Sequence, residues 1–244
     1  MPTNSVIRGG DCNTKWAEAL FLAGRAAAGI LNFARLLAAL RAAAGGRFVM
    51  NVYLRKSWHL LGLVLPAAYY FGALSRPTVL LIVAVITAGA VVLEILRFRF
   101  AVVARAFTAV FRVLMREEEF RRLNATIPFL GATFLTLLLF PRTLAFVAMA
   151  FLALGDAAAG IVGRRLGGFR LRADKTLAGT LACLAVCFVV GWYFVGWKLA
   201  LVGAGVAAAA ELLSPGWFDN FSVPLASGAA MWAVAHATGV NFPS

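Results

Sequence analysis

The chain has 244 residues, 62% of them hydrophobic and 14% charged, with a mean hydropathy of +0.87 and a net charge of +13. Soluble domains carry about a quarter charged residues, so this composition excludes an ordinary water-soluble globule and leaves an integral membrane protein with a single membrane domain. The basic excess then reads as positive-inside topology and attraction to anionic lipid of the bilayer, with no nucleic acid as partner.

Residues 1–49 form an N-terminal amphipathic, interfacial segment. Within it, Arg25, Arg35 and Arg41 interrupt an Ala/Leu-rich helical pattern over 16–44, as in a helix lying in the membrane surface; a tilted extra span is the competing reading. A polar stretch precedes the first long apolar segment, so no conventional signal peptide is expected.

A transmembrane domain follows over 50–244. Apolar segments fall at about 58–74, 77–96, 124–140, 143–162, 177–195, 199–213 and 222–240, which predicts an all-α, polytopic helix bundle of about seven spans. The sixth is short and Ala-rich. Over 97–122, Arg97, Arg99, Arg105, Arg112, Arg116, Arg121 and Arg122 interleave with apolar residues, predicting a second basic amphipathic helix and a charged turn. Four basic groups lie in 41–57, seven in 97–123 and five in 164–175, whereas the intervening loops hold Arg76, Arg142 and Lys198 alone. That alternation places the three basic loops, and the loop at 214–221, on the cytoplasmic face of a multi-pass protein.

The chemistry-bearing residues gather on that face. Asp156 lies inside the fourth segment, about 10 Å from its inner end at 1.5 Å per residue. An ionisable group within a span is costly and marks a candidate site; a structural pair with a nearby arginine is the plain alternative. Gly155, Gly163, Gly167 and Gly168 flank Arg164 and Arg165. Glycines let backbone amides approach a phosphate that such cations neutralise. Small residues every four positions (Gly155, Ala159, Gly163, Gly167) are equally a helix-packing face. With Asp156 before them and Asp174, Lys175 and Thr176 after them, a polyphosphate site is the better reading, although Walker A spacing is absent.

Glu211, Asp219 and Asn220 are candidates to complete a Mg²⁺ site, or to do no more than turn the chain and cap the next helix. Pro215 and Gly216 interrupt the helical pattern between them. Arg55 and Lys56 enter the first span, with His59 one turn inside. A basic pair there is usually topogenic, and a lone histidine is more often structural than a proton acceptor. Glu94 is placed to pair with Arg97 three residues on. Cys183 and Cys187, four apart, share one helix side as small apolar residues.

These pieces together resemble the polyprenol kinase family, which comprises dolichol kinase, phytol kinase and CTP-dependent diacylglycerol kinase. The shared pattern is Gly155, Asp156, Ala159, Gly163, Gly167, a seven-residue spacer, then Lys175, Thr176, Gly179 and Thr180. Secondary matches are RKSWHLLG (55–62), VVLEILRF (91–98), REEE (116–119) and DNFSVPLASG (219–228), so the resemblance covers 50–232. Ala178 stands where the family pattern has glutamate.

The resemblance implies a membrane lipid kinase that moves the γ-phosphoryl group of a nucleoside triphosphate, typically CTP, to the hydroxyl of a membrane lipid alcohol. It implies Asp156 and Asp219 as Mg²⁺ ligands. Gly163, Arg164, Arg165, Gly167, Lys175, Thr176 and Gly179, with Arg55, Lys56 and Asn220, would hold the nucleotide. Candidates to deprotonate the alcohol are Asp156, His59 and Glu211, in that order. A second copy of the chain is an allowed partner. Two other readings stay open: a membrane cytidylyltransferase making a CDP-lipid, and a transporter or lipid-binding scaffold.

Overall fold

The computed structural model describes residues 59–111, 124–172, 175–215, 218–240 and 242. The N-terminal segment, Arg55, Lys56, Asp174 and the REEE run therefore lie outside the described residues. Helices α1 (Val64–Tyr70), α2 (Arg76–Arg99), α3 (Ala101–Phe111) and α4 (Thr126–Leu139) lead to a long rod made of α5 (Arg142–Ala150), a π-helical turn (Phe151–Gly155) and α6 (Asp156–Leu166). A short hairpin, β1 (Arg170–Arg172) and β2 (Lys175–Thr176), then precedes α7 (Leu177–Val195), α8 (Trp197–Leu213) and α9 (Asp219–Ala237).

Local chemistry sets the boundaries. Ser75 caps α2, its hydroxyl accepting from the Thr78 N–H at 3.3 Å, and Pro77 follows in the first turn, where its missing N–H costs nothing. Thr176 caps α7 in the same way through the Gly179 N–H at 3.1 Å. Gly196, at φ +81°, is the single residue between α7 and α8, a conformation that L side chains resist.

Helices occupy all seven apolar segments. Three of them, Arg76–Arg99, Arg142–Leu166 and Leu177–Val195, are long and apolar enough to cross a membrane. The rod is the centre of the bundle. Every residue from Leu144 to Ala153 is buried, and α1, α4, α7, α8 and α9 all pack on the rod's first half. By contrast α2 turns Leu81, Val85, Val92 and Ile95 outward, each more than half exposed. Apolar side chains on that scale suit lipid as the solvent, not water.

Two expectations need correction. The bundle is not purely α-helical, because the motif's seven-residue spacer reverses through an antiparallel hairpin, Arg170 opposite Thr176 and Arg172 opposite Lys175. The second span and the basic helix after it also divide elsewhere: α2 runs on to Arg99, and α3 starts only at Ala101. The reason is a buried ion pair. Arg97 donates from Nε to Glu94 Oε2 at 3.0 Å, and both residues are under a tenth exposed, so this turn belongs to the interior.

Candidate active site at the lysine–carboxylate cluster

The rod and α7 approach closely along a seam of small residues. A Cβ on Gly155 would lie 2.6 Å from Cys187 Sγ; one on Gly163 would meet Thr176 Oγ1 at 2.7 Å; one on Gly179 would meet the Ala159 carbonyl at 2.8 Å. Gly155 and Gly163 thus serve helix packing, the second of the two readings their spacing allowed, and Gly179 packs with them. Cys183 and Cys187 share the buried side of α7, as their spacing predicts, and the Cys187 thiol donates to the Phe151 carbonyl at 3.7 Å. That carbonyl opens the π-helical turn, where the extra residue disturbs the ordinary i→i−4 ladder.

The rod ends at Leu166, three residues beyond Gly163, so Asp156 lies about 15 Å from that end at 1.5 Å per residue. Gly167 (φ +59°) and Gly168 (φ +88°) then turn the chain. Only glycine takes this pair of conformations without strain. The Leu177 N–H donates to the Phe169 carbonyl at 2.9 Å, which binds the base of the hairpin to the start of α7. Arg172 donates to the Leu213 carbonyl at the end of α8. The hairpin is thereby laid across the end of α8, and β2 delivers Lys175 to it.

Lys175 is the hub. Its ammonium donates to Glu211 Oε1, from the last turns of α8, and lies 3.7 Å from Asp219 Oδ2, in the first turn of α9. Asp156, half-buried where α6 begins, adds its charge to the same lysine. Burial pulls the Lys175 pKa down, but the charge and hydrogen bond of Glu211 and the charges of Asp219 and Asp156 outweigh it. The net effect is a pKa above the ordinary lysine value of 10.5. Glu211, Asp219 and Asn220 are nearly enclosed, and the Asn220 N–H donates to Asp219 Oδ1 at 2.8 Å. Ser214 and Ser222 join across the α8–α9 connection at 2.6 Å between hydroxyl oxygens.

Four separate elements thus bring Asp156, Lys175, Glu211, Asp219 and Asn220 to one end of the bundle. Arg164 and Arg165, in the last turn of α6, are exposed. His59 is buried, edge-on to the Phe129 ring with centroids 5.4 Å apart. Sequence reasoning missed Arg172, whose signal was no more than one arginine in a basic run, and the serine pair. Among the described residues no group of three or more His, Cys, Asp or Glu side chains is close enough to hold a metal ion alone. The cluster does fit Mg²⁺, which takes one or two carboxylates and completes its shell with phosphate oxygens and water.

No family model matches the chain, and no solved structure matches it. Among curated proteins it is 23% identical over 172 residues to CTP-dependent diacylglycerol kinase 1 of Saccharomyces cerevisiae, an alignment covering 59% of each chain. It is 27% identical over 162 residues to the protein of that name in Schizosaccharomyces pombe, covering 58% of this chain and 74% of the relative. A third, from Eremothecium gossypii, is 28% identical over 171 residues, covering 58% and 54%. The chain thus spans less than two thirds of the length of the first of these relatives. In sequence it is similar to CTP-dependent diacylglycerol kinases, members of the polyprenol kinase family that its Gly-Asp and Lys-Thr motif resembles.

Proposed function

We propose that the protein is an integral membrane lipid kinase that transfers the γ-phosphoryl group of CTP to the hydroxyl of a lipid alcohol, with diacylglycerol as the first acceptor to test. The observation that carries the reading is the Lys175 cluster, assembled from the very motif shared with the kinase group and joined by Asp156, Glu211 and Asp219. The names of the relatives supply the donor and the lipid class. The seven helices are read as seven spans, with this end of the bundle at the cytoplasmic face where nucleotides are present. The alternation of basic loops supports that orientation.

Phosphoryl transfer needs positioning and charge neutralisation more than covalent chemistry from the protein. Lys175 is held where it can meet phosphate oxygens, its ammonium kept charged by its neighbours. Three carboxylates face that one cation, and the surplus negative charge favours a divalent ion. Asp219 and Asp156 would hold Mg²⁺, which when bound would neutralise charge on the transferring phosphates. Gly167 and Gly168 are the glycines left for backbone contacts with phosphate, since Gly163 and Gly179 are committed to packing. Asp156 is the leading candidate to take the proton of the acceptor alcohol. Glu211 is occupied by Lys175.

Position 178 falls in the first turn of α7, three residues after Lys175. With alanine there, Glu211 supplies the carboxylate that steadies the lysine. The test is incubation of the purified protein with CTP or ATP labelled at the γ-phosphate, against diacylglycerol, dolichol and phytol, with Ala178→Glu in parallel. Labelled lipid phosphate and CDP are expected. Release of pyrophosphate would identify a cytidylyltransferase instead, and absence of any nucleotide-dependent product would overturn the enzymatic reading.

A further inference from the structure

The hairpin joins two helices that are long and apolar enough to cross a membrane, Arg142–Leu166 before it and Leu177–Val195 after it. Its level in the molecule is therefore the end of two spans, where headgroups lie. The segment is also too apolar at its surface for a turn that faces only water. Leu166 is 72% exposed and Phe169 71%, and Leu171 is exposed with them. On α7, Leu177, Leu181 and Val189 are turned outward too, so the hairpin adjoins a helix whose outer side suits acyl chains. Arginines share the same stretch: Arg164, Arg165, Arg170 and Arg172 are all exposed, and no acidic residue stands between Asp156 and Asp174. Successive side chains of a strand leave opposite faces, so Leu171 departs from β1 on the side away from Arg170 and Arg172. Apolar and cationic groups thus alternate along a segment only seven residues long, Leu166–Arg172.

We propose that this segment is an interfacial wedge that binds anionic phospholipid: Leu166, Phe169 and Leu171 enter the upper acyl layer, and Arg164 and Arg170 meet lipid phosphates. An aromatic and two leucines beside guanidinium groups are what a short segment needs to lie in the interface, apolar parts down and charges at headgroup level. Charge selects the lipid. A zwitterionic headgroup offers each arginine a phosphate with its own cation beside it, whereas an anionic one offers net attraction, and nothing acidic in the segment opposes that. The wedge requires only that the two flanking helices cross the bilayer, and it holds whatever reaction the protein performs. It has a consequence for the cluster nonetheless. Arg172 of β1 pairs with Lys175 of β2, so seating β1 among headgroups fixes the depth of Lys175 as well.

The experiment places a bimane label on the full-length protein at Phe169→Cys, and separately at Leu171→Cys, in a Cys12→Ser background; Cys183 and Cys187 are buried. The protein is held in nanodiscs of phosphatidylcholine and phosphatidylglycerol in equal parts, with bromine on the acyl chains of one lipid or the other. Bromine is expected to quench both labels more strongly than aqueous iodide does, and bromine on phosphatidylglycerol more strongly than bromine on phosphatidylcholine. Adding Arg164→Gln and Arg170→Gln should cut that lipid preference by about 5-fold, the effect of one surface arginine, or more. Labels reached by iodide and not by brominated lipid would put the hairpin in water and overturn the wedge. Labels shielded from both quenchers would mean that protein covers this face, which overturns it equally. Equal quenching by the two lipids, or a preference that survives loss of both arginines, would overturn the assignment to anionic headgroups.

Discussion

Two buried ionic groups in this bundle differ in what they leave open. Glu94 and Arg97 sit one turn apart on α2, and every charge finds a local partner. Glu94 also accepts from the Asn124 N–H at 3.0 Å, and the guanidinium lies 4.6 Å from the Phe98 ring centre and 5.2 Å from that of Phe107. This is a closed clasp between the end of α2, α3 and the start of α4. The Lys175 group is drawn from four elements, and the charges of Glu211, Asp219 and Asp156 all act on its one ammonium. Burial alone therefore does not distinguish a structural ion pair from a site. What differs is the origin of the groups: the clasp is a local pair within one helix, whereas the Lys175 group gathers carboxylates from separate elements around one ammonium.

The sharpest way to test that contrast is to alter charge without altering shape. Asp156→Asn should lower phosphoryl transfer by 100-fold or more, on the order of what one charged group in such a site contributes, while the melting temperature in detergent stays near that of the wild type. Activity close to normal would remove Asp156 from the chemistry. The clasp should behave in the opposite way. Glu94→Ala leaves Arg97 buried without its carboxylate and should cost about 3 kcal/mol of stability, read as an earlier melt with the CTP KM unchanged. The double change Glu94→Leu with Arg97→Met should recover much of that loss, since well-packed apolar groups often replace a buried pair without penalty.

The smallest effect concerns pH. The Lys175 pKa is raised by folding, so the stability it contributes is complete below the ordinary lysine value of 10.5. That stability disappears as pH climbs through the higher folded value. Melting curves of the wild type should therefore fall more steeply above pH 10.5 than those of Lys175→Met, and the two should run parallel near neutrality. Equal slopes would mean that the carboxylates do not hold the ammonium.

Much of this was legible in the residues. Hydropathy located the helices of all seven apolar segments, because a segment's preference for lipid and for internal hydrogen bonding is a property of that segment. The i, i+3 spacing named the Glu94–Arg97 pair, and Asp156, Lys175, Glu211 and Asp219 stood out as charges in an apolar chain. Other features were ambiguous for a physical reason. Glycine at 163 and 179 suits a phosphate cradle and a tight helix crossing equally well, since each needs only the absence of a side chain. The hairpin at 170–176 is too short for any periodicity to announce it.

What the amino-acid order determined by itself, then, was the membrane character, the helices with their caps, and the residue types able to do chemistry. Which of those residues meet was decided only by the tertiary structure. Lys175 and Glu211 are 36 positions apart, and they touch because Gly155, Ala159, Gly163 and Gly179 let the rod and α7 close together while Arg172 lays the hairpin over the end of α8. Helix formation is a local free energy, summed along the chain. The approach of two charges across a bundle depends on the shape of every surface between them, and no single segment encodes that.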